Sequence, residues 1–238
     1  MTILEVCIDS AEGLCVARTN GADRVELCSV LELGGLTPSI GLVTLAARAG
    51  ISARAMIRPR AGDFVFDSNE LAQMLAEIDA IRETGIEGVV LGASHADGRL
   101  DIETLTQLSE RSKGLKKTLH RAFDLVPDLD EAIEQAITLG FDTILTSGRA
   151  HTALEGIQDL ARAHQVAAGR IAIMPGAGIS AANVRSLLKN APFAAIHGSC
   201  SAPAKADNEL AAKLGFTSLN RRTTSAKSVA DLKTALRL

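Results

Sequence analysis

The sequence holds no tryptophan and no tyrosine, and only six phenylalanines among its 238 residues. Sites that stack bases or sugars are built on aromatic faces, so those ligand classes lose weight. Neither sign of charge dominates. Lys and Arg total 25 against 28 Asp and Glu, a formal net charge of −3. That supplies no field to recruit DNA, RNA or an acidic membrane, so neither nucleic acid nor a membrane is expected as a partner. Cysteine is scarce too. The four present are Cys7, Cys15, Cys28 and Cys200, and no two form a CxxC pair. Reduced thiols in a cytoplasmic protein fit this better than a disulfide scaffold. No apolar run approaches the ~18 residues that cross a bilayer. No basic stretch followed by an apolar one marks a secretory signal.

What is present is a repeat. Apolar residues make up 47% of the chain, enough for a sizeable core. Short apolar strands are predicted at roughly 3–9, 24–28, 54–58, 87–92, 117–122, 142–146, 171–174 and 194–197. Amphipathic helices follow at roughly 10–20, 39–50, 68–85, 101–113, 128–139, 152–167, 180–190 and 226–237. No element is assigned within 200–225. Eight βα units in a chain this long match a (βα)8 TIM barrel, usually ~250 residues. A doubly wound open sheet is the competing α/β architecture, but no GxGxxG follows the first strand. No linker divides the chain, so residues 1–238 are read as one domain.

Strand residues of a barrel alternate between the helix layer and the axis. In "LEVCIDS" the apolar Leu4, Val6 and Ile8 belong to the helix layer, which sends Glu5, Cys7 and Asp9 inward. The same parity turns Glu26 and Cys28 inward in "DRVELC". It does so for Met56, Arg58 and Arg60 in "AMIRPR", for Thr118 and His120 in "TLHRAFD", and for His197 in "AAIHGS". Barrel interiors are ordinarily branched and apolar, so this axis is unusually polar. Glu5 and Glu26 pairing with Arg58 to hold strands together is the structural alternative to a functional role.

Three features carry chemistry. Cys7 and Cys28 face the axis on adjacent strands ~4.8 Å apart. If level, two thiolates suit a linear Cu(I) ion; otherwise each is a small buried hydrophobe. Glycine-rich "MPGAGIS" and "HGSCS" follow strands seven and eight, where barrels of this kind bind phosphate through backbone N–H groups. Gly176, Gly178 and Gly198 are the anion-binding candidates there, with Ser147 and Gly148 of "TSG" after strand six. Plain turn chemistry is the alternative. Finally, "MIRPRAGDF" offers Arg58 and Arg60 as an anion clamp. His120, Asp9 and Glu26 are candidates for acid–base work, and His197 stands with Glu26, Arg58, Arg60 and His120 among the catalytic candidates. Arg60 pairing with Asp63, and Asp124 capping the next helix, are the bland readings.

"EVCIDS", "GADRVELC", "GGLTPSIG", "MIRPRAGDF", "TLHRAFD", "ILTSG" and "IMPGAGI", in this order, resemble the CutC family of copper homeostasis proteins. The resemblance implies a cytoplasmic (βα)8 barrel, often a homo-oligomer (a dimer or tetramer), that binds copper. Its "EVC" and "ELC" motifs place the implied Cu(I) ligands at Cys7 and Cys28. No organic cofactor is expected. The rival expectation is an enzyme acting on a small anionic or phosphorylated compound at the C-terminal mouth of the barrel.

Overall fold

A computed structural model describes residues 2–204, 208–218 and 221–237. Eight parallel strands form the barrel: β1 (Ile3–Ile8), β2 (Arg24–Leu27), β3 (Ser52–Met56), β4 (Gly88–Leu91), β5 (Lys116–Leu119), β6 (Thr143–Thr146), β7 (Ala172–Pro175) and β8 (Ala195–Gly198). Seven helices alternate with them: α1 (Ala11–Thr19), α2 (Ile40–Ala49), α3 (Ser68–Arg82), α4 (Ile102–Arg111), α5 (Leu129–Thr138), α6 (Ile157–Ala167) and α7 (Val184–Leu188). The stretch 200–225 carries more order than the sequence suggested. It holds a hairpin of β9 (Ser201–Pro203) and β10 (Arg222–Thr224), and a short helix α8 (Glu209–Lys213). Residues 205–207 and 219–220 of that stretch lie outside the described residues. Helix α9 (Ala226–Arg237) completes the outer ring.

Hydrogen-bonded ladders run in the order β7-β6-β5-β4-β3-β2-β1-β8. β7 packs beside β8 and closes the barrel, with no ladder between the two among the described residues. Start signals in the sequence act as local chemistry. Asp67 accepts from the backbone of Asn69 and Glu70 while Glu70 reaches back, a full capping box for α3. Ser10, Ser39, Asp101 and Asp128 cap α1, α2, α4 and α5.

The strand parity holds. Leu4, Val6, Ile8, Val25, Leu27, Ile57, Val89, Leu91, Leu119, Ile144 and Ile196 join one core between sheet and helices. Each fully buried branched side chain of this kind is worth about 1.5–3 kcal/mol of transfer free energy. The axis is filled differently. At one level Leu145, Met174 and Ala195 pack together, and at another Cys28, Met56 and Val90 do. Towards the N-terminal end Arg54 reaches across the barrel. It donates to Thr118 (2.6 Å) and Thr143 (3.2 Å) and pairs with Asp142 (2.7 Å). Polar groups fill the rest of the axis.

Candidate functional site

Glu5 sits in the middle of β1 with no solvent exposure. Its register partners are Arg24 at the start of β2 and His197 in β8. Both touch it: Arg24 Nε forms an ion pair with Oε2, and His197 Nδ1 lies 2.9 Å from Oε1. Burial would raise the pKa of Glu5, but the hydrogen bond to His197 and the charge of Arg24 outweigh it and hold the carboxyl at about 2. Glu5 is therefore an anion that orients His197. With Nδ1 committed to Glu5, Nε2 is the atom His197 turns to the cavity.

Nε2 faces Glu26, 3.9 Å from its Oε2. Cys7, level with Glu26 in the β1–β2 register, completes the group. Among the described residues, donor atoms of Cys7, Glu26 and His197 lie within 4.8 Å of one another. Burial pushes the Glu26 carboxyl above the usual carboxylate range. It also works against protonating His197. Glu26, Cys7 and the bond to Glu5 reverse that, so the imidazole titrates well above the usual histidine range.

Cys28 is placed differently from Cys7. The ladder sets Cys7 opposite Glu26, so the two thiols are not level. Cys28 lies among Met56, Val90 and Leu31, and its Sγ donates to Glu26 Oε2 at 3.6 Å. Burial, then the neighbouring Glu26, push its thiol well above the usual range.

These groups open into a cavity of about 220 Å³ at the C-terminal end of the barrel, which Cys7, Glu26, Arg58, His120, His197 and Gly198 help to line. Arg58 does not pair with Glu5 or Glu26, which corrects the expected register-holding pairs. It lies two residues past the end of β3. Its guanidinium donates to the carbonyls of Leu33 (3.0 Å), Gly35 (3.1 Å) and Gly62 (2.8 Å) and lies over Phe64. His120 caps the turn 121–125, its Nδ1 accepting from Ala122 N at 3.1 Å. That leaves Nε2 as the protonated nitrogen of a neutral ring. Burial, then the charge of Arg58, lower its pKa to about 3.

The remaining candidates divide. Gly178 lines the cavity, while Gly176 donates its N–H to Thr146 O at 2.9 Å. Arg60 turns away from the cavity lining, to an ion pair with Glu70 and another with Asp63 at 3.0 Å. Ser147 and Gly148 are committed elsewhere. Ser147 donates N and Oγ to Asp124, and Gly148 N donates to Thr146 Oγ1 at 2.9 Å. Asp124 does not cap α5, a place taken by Asp128. It gathers the loop after β6, accepting also from Thr146 Oγ1 (2.5 Å), Arg149 N (3.1 Å) and Arg121 Nε (2.6 Å). Asp124→Asn turns an NH2 towards donors and is expected to cost about 1.5–3 kcal/mol, as for hydrogen bonds to charged groups. A urea melt checks this, and an unchanged midpoint would remove Asp124 from that role. Arg24 is the residue the sequence reading missed. Parity with Glu26 already sent it inward.

The comparisons agree with this architecture. Residues 2–202 match the sequence model of the CutC family. A family protein CutC of Agrobacterium fabrum is 52% identical over 235 residues, spanning 98% of this chain and 94% of the relative. One of Sinorhizobium medicae is 50% identical, spanning 98% and 96%. Among solved structures, a CutC of Streptococcus agalactiae described as a copper homeostasis protein superposes with TM-score 0.80 at 33% identity, covering 84% of this chain and 99% of that one. A phosphoribosylanthranilate isomerase of Thermotoga maritima superposes with TM-score 0.58 at 15% identity, a likeness of fold alone. No helix among the described residues is long and apolar enough to cross a membrane.

Proposed function

Because the chain belongs to the CutC family, we propose that it is a cytoplasmic, homo-oligomeric protein that binds Cu(I) as cargo through Cys7 Sγ and His197 Nε2. The observation that carries this reading is the Cys7–Glu26–His197 group, whose donor atoms lie within 4.8 Å of one another at the floor of the cavity. A thiolate and an imidazole suit a soft, low-coordinate ion. Glu5 supports the second ligand in the way metal-binding histidines are supported. A carboxylate accepts the hydrogen bond from Nδ1–H, so Nε2 is the nitrogen that gives up its proton to bind the ion. Glu26 stands beside the pair. Cys28 is a second thiol one hydrogen bond further on.

Anaerobic Cu(I) titration against a competing chelator is the test. The wild-type chain is expected to take up one ion. Cys7→Ser is expected to lower affinity at least a hundredfold, since it removes the soft ligand. Cys28→Ser is expected to have an effect about tenfold or smaller. Cys7→Ser and the Cys7→Ser, Cys28→Ser double variant binding as the wild type does would sink the reading.

A further inference from the structure

Four buried side-chain nitrogen or oxygen atoms among the described residues have no hydrogen-bond partner. Three of them, Glu26 Oε1, Arg58 Nε and His120 Nε2, belong to residues that line the same cavity at the mouth of the barrel. These residues are 3%, 5% and 2% exposed. A buried polar atom left without a partner costs about 1–3 kcal/mol. Three such side chains in the wall of one space describe a site suited to a molecule that brings the partners once the side chains turn to meet it. A bound Cu(I) ion at Cys7 and His197 satisfies none of the two N–H donors.

The two donors specify one end of that molecule. Arg58 Nε–H and His120 Nε2–H both call for an acceptor, and Arg58 adds a positive charge. The loop after β7 adds more. Gly178 and Ile179 line the cavity, and their backbone N–H groups make no hydrogen bond among the described residues; the same holds for Ser199 after β8. Ala177 and Gly178 turn this loop with φ of 74° and 71°, both left-handed. All of this suits an oxyanion. The third orphan specifies the other end. A carboxyl oxygen accepts when ionised and can donate when protonated, and a hydroxyl answers either state. Leu31, Met56, Phe64 and Leu145 wall the space between with apolar surface. Its volume equals roughly seven waters at ~30 Å³ each, which limits the guest to a compact molecule.

We propose that the mouth of the barrel is a binding site for a small hydroxylated oxyanion, whose anionic end is held by Arg58, His120 and the loop after β7 and whose hydroxyl meets Glu26. The proposal goes beyond copper binding and stands without it.

The test uses the reduced, copper-free full chain and two matched pairs of probes, read by calorimetry. Glycolate is compared with acetate, and glycerol phosphate with inorganic phosphate. Within at least one pair the hydroxylated member is expected to bind at least tenfold tighter. The pair that responds identifies the oxyanion as carboxylate or phosphate. His120→Phe fills the same space without the N–H and is expected to lose at least tenfold in affinity. Arg170→Met, whose ion pair with Glu134 is on the surface, is expected to bind as the wild type does. A second measurement needs no substitution. The tighter probe is expected to slow alkylation of Cys7, which lines the cavity, and to leave the exposed Cys15 on α1 unchanged. Equal affinities within both pairs, unaltered binding by a folded His120→Phe chain, or Cys7 alkylation unaffected by saturating probe would each overturn the proposal.

Discussion

Arg24→Met is expected to destabilise the chain by about 3–5 kcal/mol, the cost of leaving one buried charge without its partner. At this chain length that lowers the melting temperature by roughly 10 °C. Glu5 has no exposed surface, and among the described residues Arg24 is its only permanently charged partner. Methionine replaces the stem of arginine and not its charge, so the loss reports the ion pair. The pH dependence gives an independent check. The folded carboxyl of Glu5 titrates at about 2 against an ordinary 4.5. Its contribution is therefore complete above pH 4.5 and is lost as pH falls towards 2. The wild type is expected to shed about 3 kcal/mol across that window, at 1.36 kcal/mol per pKa unit. The variant, its carboxyl no longer held down by Arg24, is expected to shed less. Melts at several pH values measure both, and a variant melting within about 2 °C of wild type at pH 7 would show that Glu5 does not depend on Arg24.

Gly92→Ala is the second large effect expected, and it changes no charged or polar group. Gly92 follows β4 directly. A Cβ built there lies 2.2 Å from Cε1 and 2.4 Å from Nδ1 of His120. Real Cβ atoms do not approach so closely. The obstacle is a buried ring, so it cannot swing aside as a flexible chain end would. To make room, His120 must give up the bond from Ala122 N and its contact with Phe64, whose ring centroid is 4.7 Å away. Overpacking of this kind costs about 1–3 kcal/mol. The functional loss is expected to exceed the structural one. With the ring displaced, His120 leaves its place in the cavity wall, and affinity for the hydroxylated probe is expected to fall at least tenfold. Melting and calorimetry separate the two effects. A Gly92→Ala chain that matches wild type in both would place the ring elsewhere.

The eight strands were legible because apolar alternation and the repeat of βα units state them directly. Leu4, Val6 and Ile8 announce which side of β1 is greasy, and that alone puts Glu5 and Cys7 on the axis. What alternation does not carry is height along the axis. Whether Cys7 lies level with Cys28 or with Glu26 is decided by the stagger between β1 and β2, to which no side-chain pattern in the sequence points. Arg58 illustrates a second limit. Parity is a property of strands, and β3 ends at Met56, so the guanidinium is free to turn to the carbonyls of Leu33, Gly35 and Gly62. Loops posed the same difficulty. "TSG" offers donors on paper, but Asp124, more than twenty residues earlier, collects those of Ser147. The 201–203 and 222–224 strands are short and weakly apolar, which hid them from any search for periodicity.

The contact between Glu5 and His197 joins residues 192 apart in the chain. It has a consequence for biosynthesis. During translation Cys7, Glu26 and Cys28 leave the ribosome early, and at 5–20 residues per second roughly 10–40 s pass before His197 is made. Over that interval the two thiols have neither the imidazole nor the closing strand beside them. A nascent chain thus offers bare cysteines to any metal or oxidant it meets, and only the finished barrel turns Cys7 into one member of a defined group. Site assembly is in this sense a checkpoint on complete synthesis: a chain truncated before β8 has two of the three donors and lacks the strand that closes the barrel.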